Sequence, residues 1–228
     1  MADPKKLTQM TETTLPALTD LMYLVINPGS VPQGMKMTLQ SLVTLFLAEN
    51  VARYADASVI NDKVHKQLWL AGWMDTITAG CGDQYIDEST TNKVNLVSFP
   101  FDPDSIEYAY VNVAMPDDYA GGDVYAKFYW KHLAGTAFKV SWGLQGVGFG
   151  DGDALDAAYG TAQFANDEGG TAGNLYISPL TAAITLAGSP AAGDLVSLRV
   201  QRKADDGSND TLDVDAYLIG AMLWYPVE

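Results

Sequence analysis

The sequence predicts a mainly β fold: an antiparallel β-sandwich, jelly-roll-like, behind a small N-terminal strand-turn-helix anchor. Three observations predict it. Beyond residue 67 apolar and polar side chains alternate with period two through many short runs. Turn-rich stretches such as PDDYAGGD and ADDGSND punctuate those runs. Helical spacing appears only over residues 38–50. The expected organisation is an anchoring segment at 1–50, a linker at 51–66 and a sandwich domain at 67–228.

The anchoring segment opens with an apolar strand, Leu21 to Ile26, ended by Asn27-Pro28-Gly29-Ser30. Proline presets one turn dihedral there and glycine permits a positive one. A second strand edge follows, then a helix from Thr38 to Asn50, with Leu39, Leu42, Val43, Phe46 and Leu47 at helical spacing. So small a unit cannot bury enough surface to stand alone in water, and its apolar face calls for a partner. VARYADASVINDKVHK, residues 51–66, is polar and mixed in charge, as a connector would be.

In the sandwich domain, DVYAKFYWK places Val124, Ala126, Phe128 and Trp130 on one face and Tyr125, Lys127, Tyr129 and Lys131 on the other. FKVSWGLQ repeats the arrangement, Phe138, Val140, Trp142 and Leu144 against Lys139, Ser141 and Gln145. DLVSLRVQR sets Val196, Leu198 and Val200 against Ser197, Arg199 and Gln201. Further strands are expected at 67–74, 94–99, 106–115, 159–165, 174–177, 182–187 and 212–225. Two runs, IEYAYVNVAM and AYLIGAMLWY, are apolar on both sides, which predicts a second cover over each. With the anchor's own apolar face, this predicts self-association.

Whole-chain properties narrow the function classes. The 228 residues are 48% apolar, enough for a core, with no uncharged apolar run long enough to span a membrane and no hydrophobic signal segment near the front. The expectation is a soluble protein without membrane insertion. Cys81 is the only cysteine, so no internal disulfide forms and no zinc spacing exists. Residues 1–66 hold six Lys/Arg against six acids, whereas residues 67–228 hold seven against twenty-two. So acidic a domain repels phosphates, and no basic patch suggests nucleic acid as a partner.

DLMYLVINPGSVPQGMKMTLQSLV resembles the short N-terminal segment of tailed-bacteriophage fibre and appendage proteins. The matching positions are Asp20, Tyr23, Val25, Pro28, Gly29, Lys36, Thr38, Leu39 and Leu42, with Phe46 continuing the helix stripe. The second part, from FPFDPDSIEYAYVNVAMPDDYAGGDVYAKFYW to AAGDLVSLRVQRKADDGSNDTLDVDAYLIGAMLWY, is similar to a β-sandwich recurring in phage structural proteins. The resemblance implies a virion location, a virion-anchoring role for those N-terminal positions, assembly in the host cytoplasm, and a homotrimer that contacts other virion proteins of the tail, neck or capsid. It also implies a host-surface glycan or protein as an outward partner. Many fibres continue into long shafts or enzymatic tips; this chain has neither, which implies a compact appendage.

No enzymatic signature accompanies this reading. His65 falls in the connector and His132 in a strand-end turn, WKHLAG, where solvent exposure is expected. There is no G-x-S-x-G elbow, H-E-x-x-H, phosphate-binding G-x-x-x-x-G-K or C-x-x-C. In GLQGVGFGDGDALD, Gly146, Gly148, Gly150 and Gly152 recur every second residue with no basic residue to meet a phosphate. They read as places where a neighbour comes close, with a bulge near Gly146 to move the apolar role to Val147 and Phe149. Asp151, Asp153 and Asp156 are candidate calcium ligands, but their spacing fails the EF-hand pattern and acidic turn residues explain them better. No cofactor is expected. Tyr125 and Tyr129 mark a candidate interface, since they lie beside lysines opposite the core face. The sequence thus predicts a short-fibre or spike protein for host attachment. A capsid-decorating head fibre and a tail-associated glycan-active enzyme are the alternatives.

Overall fold

The computed structural model describes residues 21–26, 33–38, 64–134 and 138–227. The chain divides into two units, residues 1–58 and 59–228. In the first, β1 (Leu21–Ile26) pairs antiparallel with β2 (Gln33–Thr38), Tyr23 opposite Lys36 and Val25 opposite Gly34. Thr38 closes β2, so a helix does not begin there. Leu39, Leu42 and Phe46 of the expected helix, and Asp20, Pro28 and Gly29, lie outside the described residues.

The second unit is antiparallel β throughout its named strands. They are β3 (His65–Leu70), β4 (Met74–Asp75), β5 (Tyr85–Glu88), β6 (Asn95–Phe101), β7 (Glu107–Ala114), β8 (Tyr125–His132), β9 (Phe138–Phe149), β10 (Gln163–Gly169), β11 (Tyr176–Ile177), β12 (Leu195–Arg202) and β13 (Ala216–Pro226). A five-stranded sheet runs β10-β9-β12-β7-β4. A six-stranded sheet runs β11-β8-β13-β6-β5, with β3 also on β13. The inward faces of the two meet in one core: Trp142 of the first sheet lies edge-on to Phe101 at 5.1 Å and stacks on Phe128 at 6.1 Å, both from the second. Rings of this size each bury about 150–250 Å². At about 25 cal/mol per Å² that is roughly 4–6 kcal/mol apiece before entropy, which makes the Trp130, Trp142, Phe101 and Phe128 cluster the centre of the domain.

The alternating faces of β8, β9 and β12 point inward as the sequence predicts, and all the apolar residues named for them are buried. Several other expectations change. Residues 182–187 form no strand and contribute bridges at Ile184 and Ala187, while β5, unpredicted, pairs with β6. β10 starts at Gln163 rather than at residue 159. His65 belongs to β3 and not to a connector. The ladder between β9 and β12 runs from Phe149 to Trp142 without a register shift, so there is no bulge at Gly146. The bulge is in β13, between Leu218 and Gly220. It moves the inward parity from Ala216 and Leu218 to Ala221, Leu223 and Tyr225, while Tyr217, Met222 and Trp224 on the other face are half-buried, so AYLIGAMLWY is apolar on both sides as the sequence reads.

The predicted close approach holds at Gly146 and Gly148 but not at Gly150, whose nearest neighbour would be 3.5 Å away, nor at Gly152, which has open space and a positive φ of 87°. A Cβ on Gly146 would lie 2.6 Å from Leu186 Cδ2, and one on Gly148 would lie 2.4 Å from Pro190 Cβ. At one end of the sandwich Arg202, fully buried, continues the inward row of β12. Its Nε donates to Asp210 Oδ1 and Oδ2 at 3.2 and 3.1 Å, and Nη2 donates to Oδ1 at 2.7 Å. Nη1 donates to the carbonyls of Phe101 at 3.0 Å and Val214 at 2.8 Å, and Nη2 donates also to that of Leu212. All five N–H groups are therefore engaged, and the pair ties the two sheets together.

Candidate functional site

The outer face of the five-stranded sheet carries the most distinctive arrangement of side chains. Pairing sets Tyr110 of β7, Arg199 of β12 and Gln145 of β9 in one row, with Met74 of β4 opposite Tyr110. The next row holds Tyr108, Gln201, Gly143 and Phe164. Directly opposed and diagonal neighbours on one face of an antiparallel sheet are within reach of one another. Arg199 accordingly lies 4.4 Å from the ring of Tyr108, while Tyr159, from the loop before β10, places its ring 4.3 Å away on the same guanidinium. Tyr159 is held by a 2.9 Å hydrogen bond between its hydroxyl and that of Ser197.

Gln145 completes the network. With its amide oxygen turned to the guanidinium it accepts from Arg199 Nε at 2.7 Å and Nη2 at 2.5 Å, and its nitrogen donates to the Gly160 carbonyl at 3.0 Å. A groove of 450 Å³ shares Gly160 with this network and is lined further by Thr161, Gln163, Thr185, Leu186 and Ala187. At Gly143 the absence of a side chain lets the Phe164 ring lie against the strand, since a Cβ there would be 2.5 Å from the ring. Lys203 Nζ stands 5.3 Å from that ring's centroid. The face thus offers flat aromatic surface, fixed amides and one oriented guanidinium, a combination suited to gripping a polar ligand with hydroxyls and apolar faces.

The outer face of the six-stranded sheet contains the sequence-predicted interface residues. Tyr129 is half-buried and meets Trp69 of β3 edge-on at 4.9 Å. Tyr125 is closed off, 5% exposed, with the His65 ring at 5.7 Å. Burial pushes its hydroxyl above the ordinary tyrosine range, with Asp123 adding to the effect. Lys131, expected on a wet face, is buried: it pairs with Asp87 of β5 and sits 5.3 and 5.7 Å from the rings of Tyr85 and Tyr217. The β5–β6 hairpin that the sequence did not announce supplies both Asp87 and Tyr85.

His132 is not a solvated turn residue. It ends β8 opposite Ala216, fully buried, with Phe138 edge-on at 4.2 Å and Tyr176 stacked at 5.3 Å. Burial lowers its affinity for a proton. Asp151, Asp153 and Asp156 are exposed, and Asp153 accepts from the Gly150 N–H at 2.8 Å, closing a turn. Among the described residues no group of three or more His, Cys, Asp or Glu could hold a metal ion. A separate cleft of 440 Å³ is lined by Asp102, Asp213, Asp215, Leu133 and Tyr217, among others. Its Asp215 binds its proton more tightly than usual because of burial and then the nearby Asp102.

Sequence reasoning assigned Arg199, Gln145 and Ser197 to the outward parity but did not bring them together with Tyr108, Tyr110 and Tyr159. No protein-family model matches this chain, and no curated protein matches it in sequence. Among solved structures it is similar to the CBM22-2 xylan-binding domain of Paenibacillus barcinonensis Xyn10C, at 11% identity over 67% of this chain and 91% of that one, with a TM-score of 0.40. It is similar also to the CBM36-1 domain of a multidomain xylanase from the hindgut metagenome of Trinervitermes trinervoides, at 9% identity over 72% of this chain and 99% of that one, with a TM-score of 0.33. A third likeness is to a family 11 carbohydrate-binding module from Clostridium thermocellum, at 9% identity over 74% and 94% of the chains, again with a TM-score of 0.33. Similarities at this level bear on neither ligand nor role, and the functional reading rests on the side chains.

Proposed function

We propose that this chain is a non-enzymatic attachment protein of a tailed-phage virion. It is an appendage, homotrimeric and held to other virion proteins through its N-terminal segment, and its jelly-roll-like sandwich grips a host-surface glycan. The row Tyr110, Arg199 and Gln145, flanked by Tyr108 and Tyr159, is the observation that carries the glycan half of this reading. Sugars present hydroxyls at their edges and C–H groups on their faces, and this surface meets both with rings and oriented polar groups already fixed. The virion half is supported by the N-terminal resemblance on Tyr23, Val25, Lys36 and Thr38, here in a paired β1–β2 hairpin, and on the residues around it.

The test is direct. Purified chain is passed over a glycan array and over whole host-cell polysaccharide, and is used to compete with phage adsorption. Retention on glycan, reduced adsorption, and loss of both in Tyr108→Ala are expected. Absence of binding to every glycan together with unchanged adsorption overturns the reading. Gold labelling of the chain on intact particles places it on the virion, and light scattering of the full chain reports its copy number.

A further inference from the structure

We infer that the glycan held on this face is an acidic one, a carboxylate-bearing sugar whose carboxylate is taken by Arg199; the inference rests on the proposed glycan-binding role of the same surface. The chain has 28 acidic residues against 13 Lys and Arg. Among the described residues, Lys66, Lys93, Lys131, Lys139, Arg202 and Lys203 each have a carboxylate within ion-pair distance, and Lys127 lies 5.6 Å from the Trp224 ring. Arg199 has none among the described residues. In a chain with twice as many acids as bases, a guanidinium without an acid on a sheet surface is a charge left open.

Its geometry is fixed as a binding group would be. Two tyrosine rings hold the guanidinium at 4.4 and 4.3 Å. Gln145, more than nine-tenths buried, takes the Nε and one Nη2 proton and is itself anchored on the Gly160 carbonyl. A guanidinium has five N–H donors. Two are spent on Gln145, and no other acceptor contacts Arg199 among the described residues, so three remain, two on Nη1 and one on Nη2. Donors on neighbouring nitrogens of one plane match the two oxygens of a carboxylate, which a lysine ammonium does not reproduce. Arg199 is half-buried, so the residue is open to a ligand in part while water competes less than at a fully exposed one.

The experiment uses the full chain on an array of neutral, uronic-acid, sialylated and sulfated oligosaccharides, repeated after chemical reduction of the carboxyl groups to alcohols. Binding confined to carboxylated sugars and abolished by reduction is expected. Arg199→Gln then loses affinity about tenfold or more, in line with losing hydrogen bonds to a charged group, and Arg199→Lys, which keeps the charge, fails to restore it. Retention of neutral sugars equally by the native chain and Arg199→Gln overturns this inference while leaving glycan binding intact. Preference for sulfated over carboxylated sugars overturns the choice of anion. An Arg199→Gln variant that melts lower but binds acidic sugars as before shows Arg199 to be only a staple for the Tyr159 loop, and also overturns it. No binding to any glycan removes the underlying reading as well.

Discussion

Replacing Arg202 by methionine is the most demanding test of how this sandwich is closed. The guanidinium is fully buried and its Asp210 partner almost so, with 2% of the side chain exposed. The substitution leaves a carboxylate in the interior with the Ser141 N–H at 3.1 Å, and strips the carbonyls of Phe101, Leu212 and Val214 of their Arg202 donors. Breaking a buried pair from one side costs about 3–5 kcal/mol. For a domain of this size about 1 kcal/mol lowers Tm by about 2–4 °C, so a fall of roughly 6–20 °C is expected. Asp210→Leu should lose a similar amount, and Arg202→Met with Asp210→Leu much less than the two single losses added, because no charge is stranded. Urea unfolding of all four proteins closes the cycle. A single-variant cost below about 1 kcal/mol, or strict additivity, refutes the view that the pair bridges the sheets as a unit.

Gly148→Ala forces a Cβ to 2.4 Å from Pro190 and should cost about 1–3 kcal/mol in urea unfolding, whereas Gly207→Ala, with nothing within 4 Å, should stay within about 0.5 kcal/mol. Cys81 is 3% exposed and its thiol is pushed up to about 12 by burial, then by Asp75 and Glu107, so a thiol reagent at pH 8 should modify it only after denaturation. His132 is held below its ordinary range by burial, so the unfolded chain takes up the proton first; stability should fall as pH drops below about 6.5, by at most about 1.4 kcal/mol per unit. In His132→Phe that part of the slope should vanish, and an unchanged slope would show that His132 is not its source.

The inward faces of β8, β9 and β12 were legible because each strand's own alternation reports its burial, as Phe128, Trp130, Val140, Trp142 and Leu198 do. β13 is apolar on both faces as its sequence reads, with Leu218, Ala221 and Leu223 inward and Tyr217, Met222 and Trp224 half-buried outside, but the bulge at Ile219 that changes parity within the strand had no signal of its own. The second apolar side of IEYAYVNVAM had a different cause, since Tyr108 and Tyr110 belong to the outer platform and not to a second core. Lys131 and His132 carry polar types that ordinarily face water. They are buried because β5, which was not predicted, and the ring of Tyr176, in the predicted strand at 174–177, come over them through pairings that no local pattern encodes. The candidate site failed to appear for the same reason: Arg199, Gln145 and Tyr110 sit in three strands, and their meeting depends on pairing register, which no single strand encodes.

The electrostatics of the whole chain set how the proposed ligand arrives. A net charge of −15 repels an acidic sugar at distances beyond contact, while the attraction of Arg199 acts over a few ångströms. Screening separates the two. The Debye length falls from about 30 Å at 0.01 M salt to about 8 Å at 0.15 M, which removes the long-range repulsion but weakens a half-buried pair much less. Added salt should therefore raise the association rate of an acidic oligosaccharide and change its dissociation rate only modestly, opposite to the behaviour of a cationic protein steering an anion inward. Selectivity then comes from contact geometry at Arg199 and its two tyrosines and not from the field. An association rate that falls as salt rises, measured by surface plasmon resonance over this range, would contradict that separation.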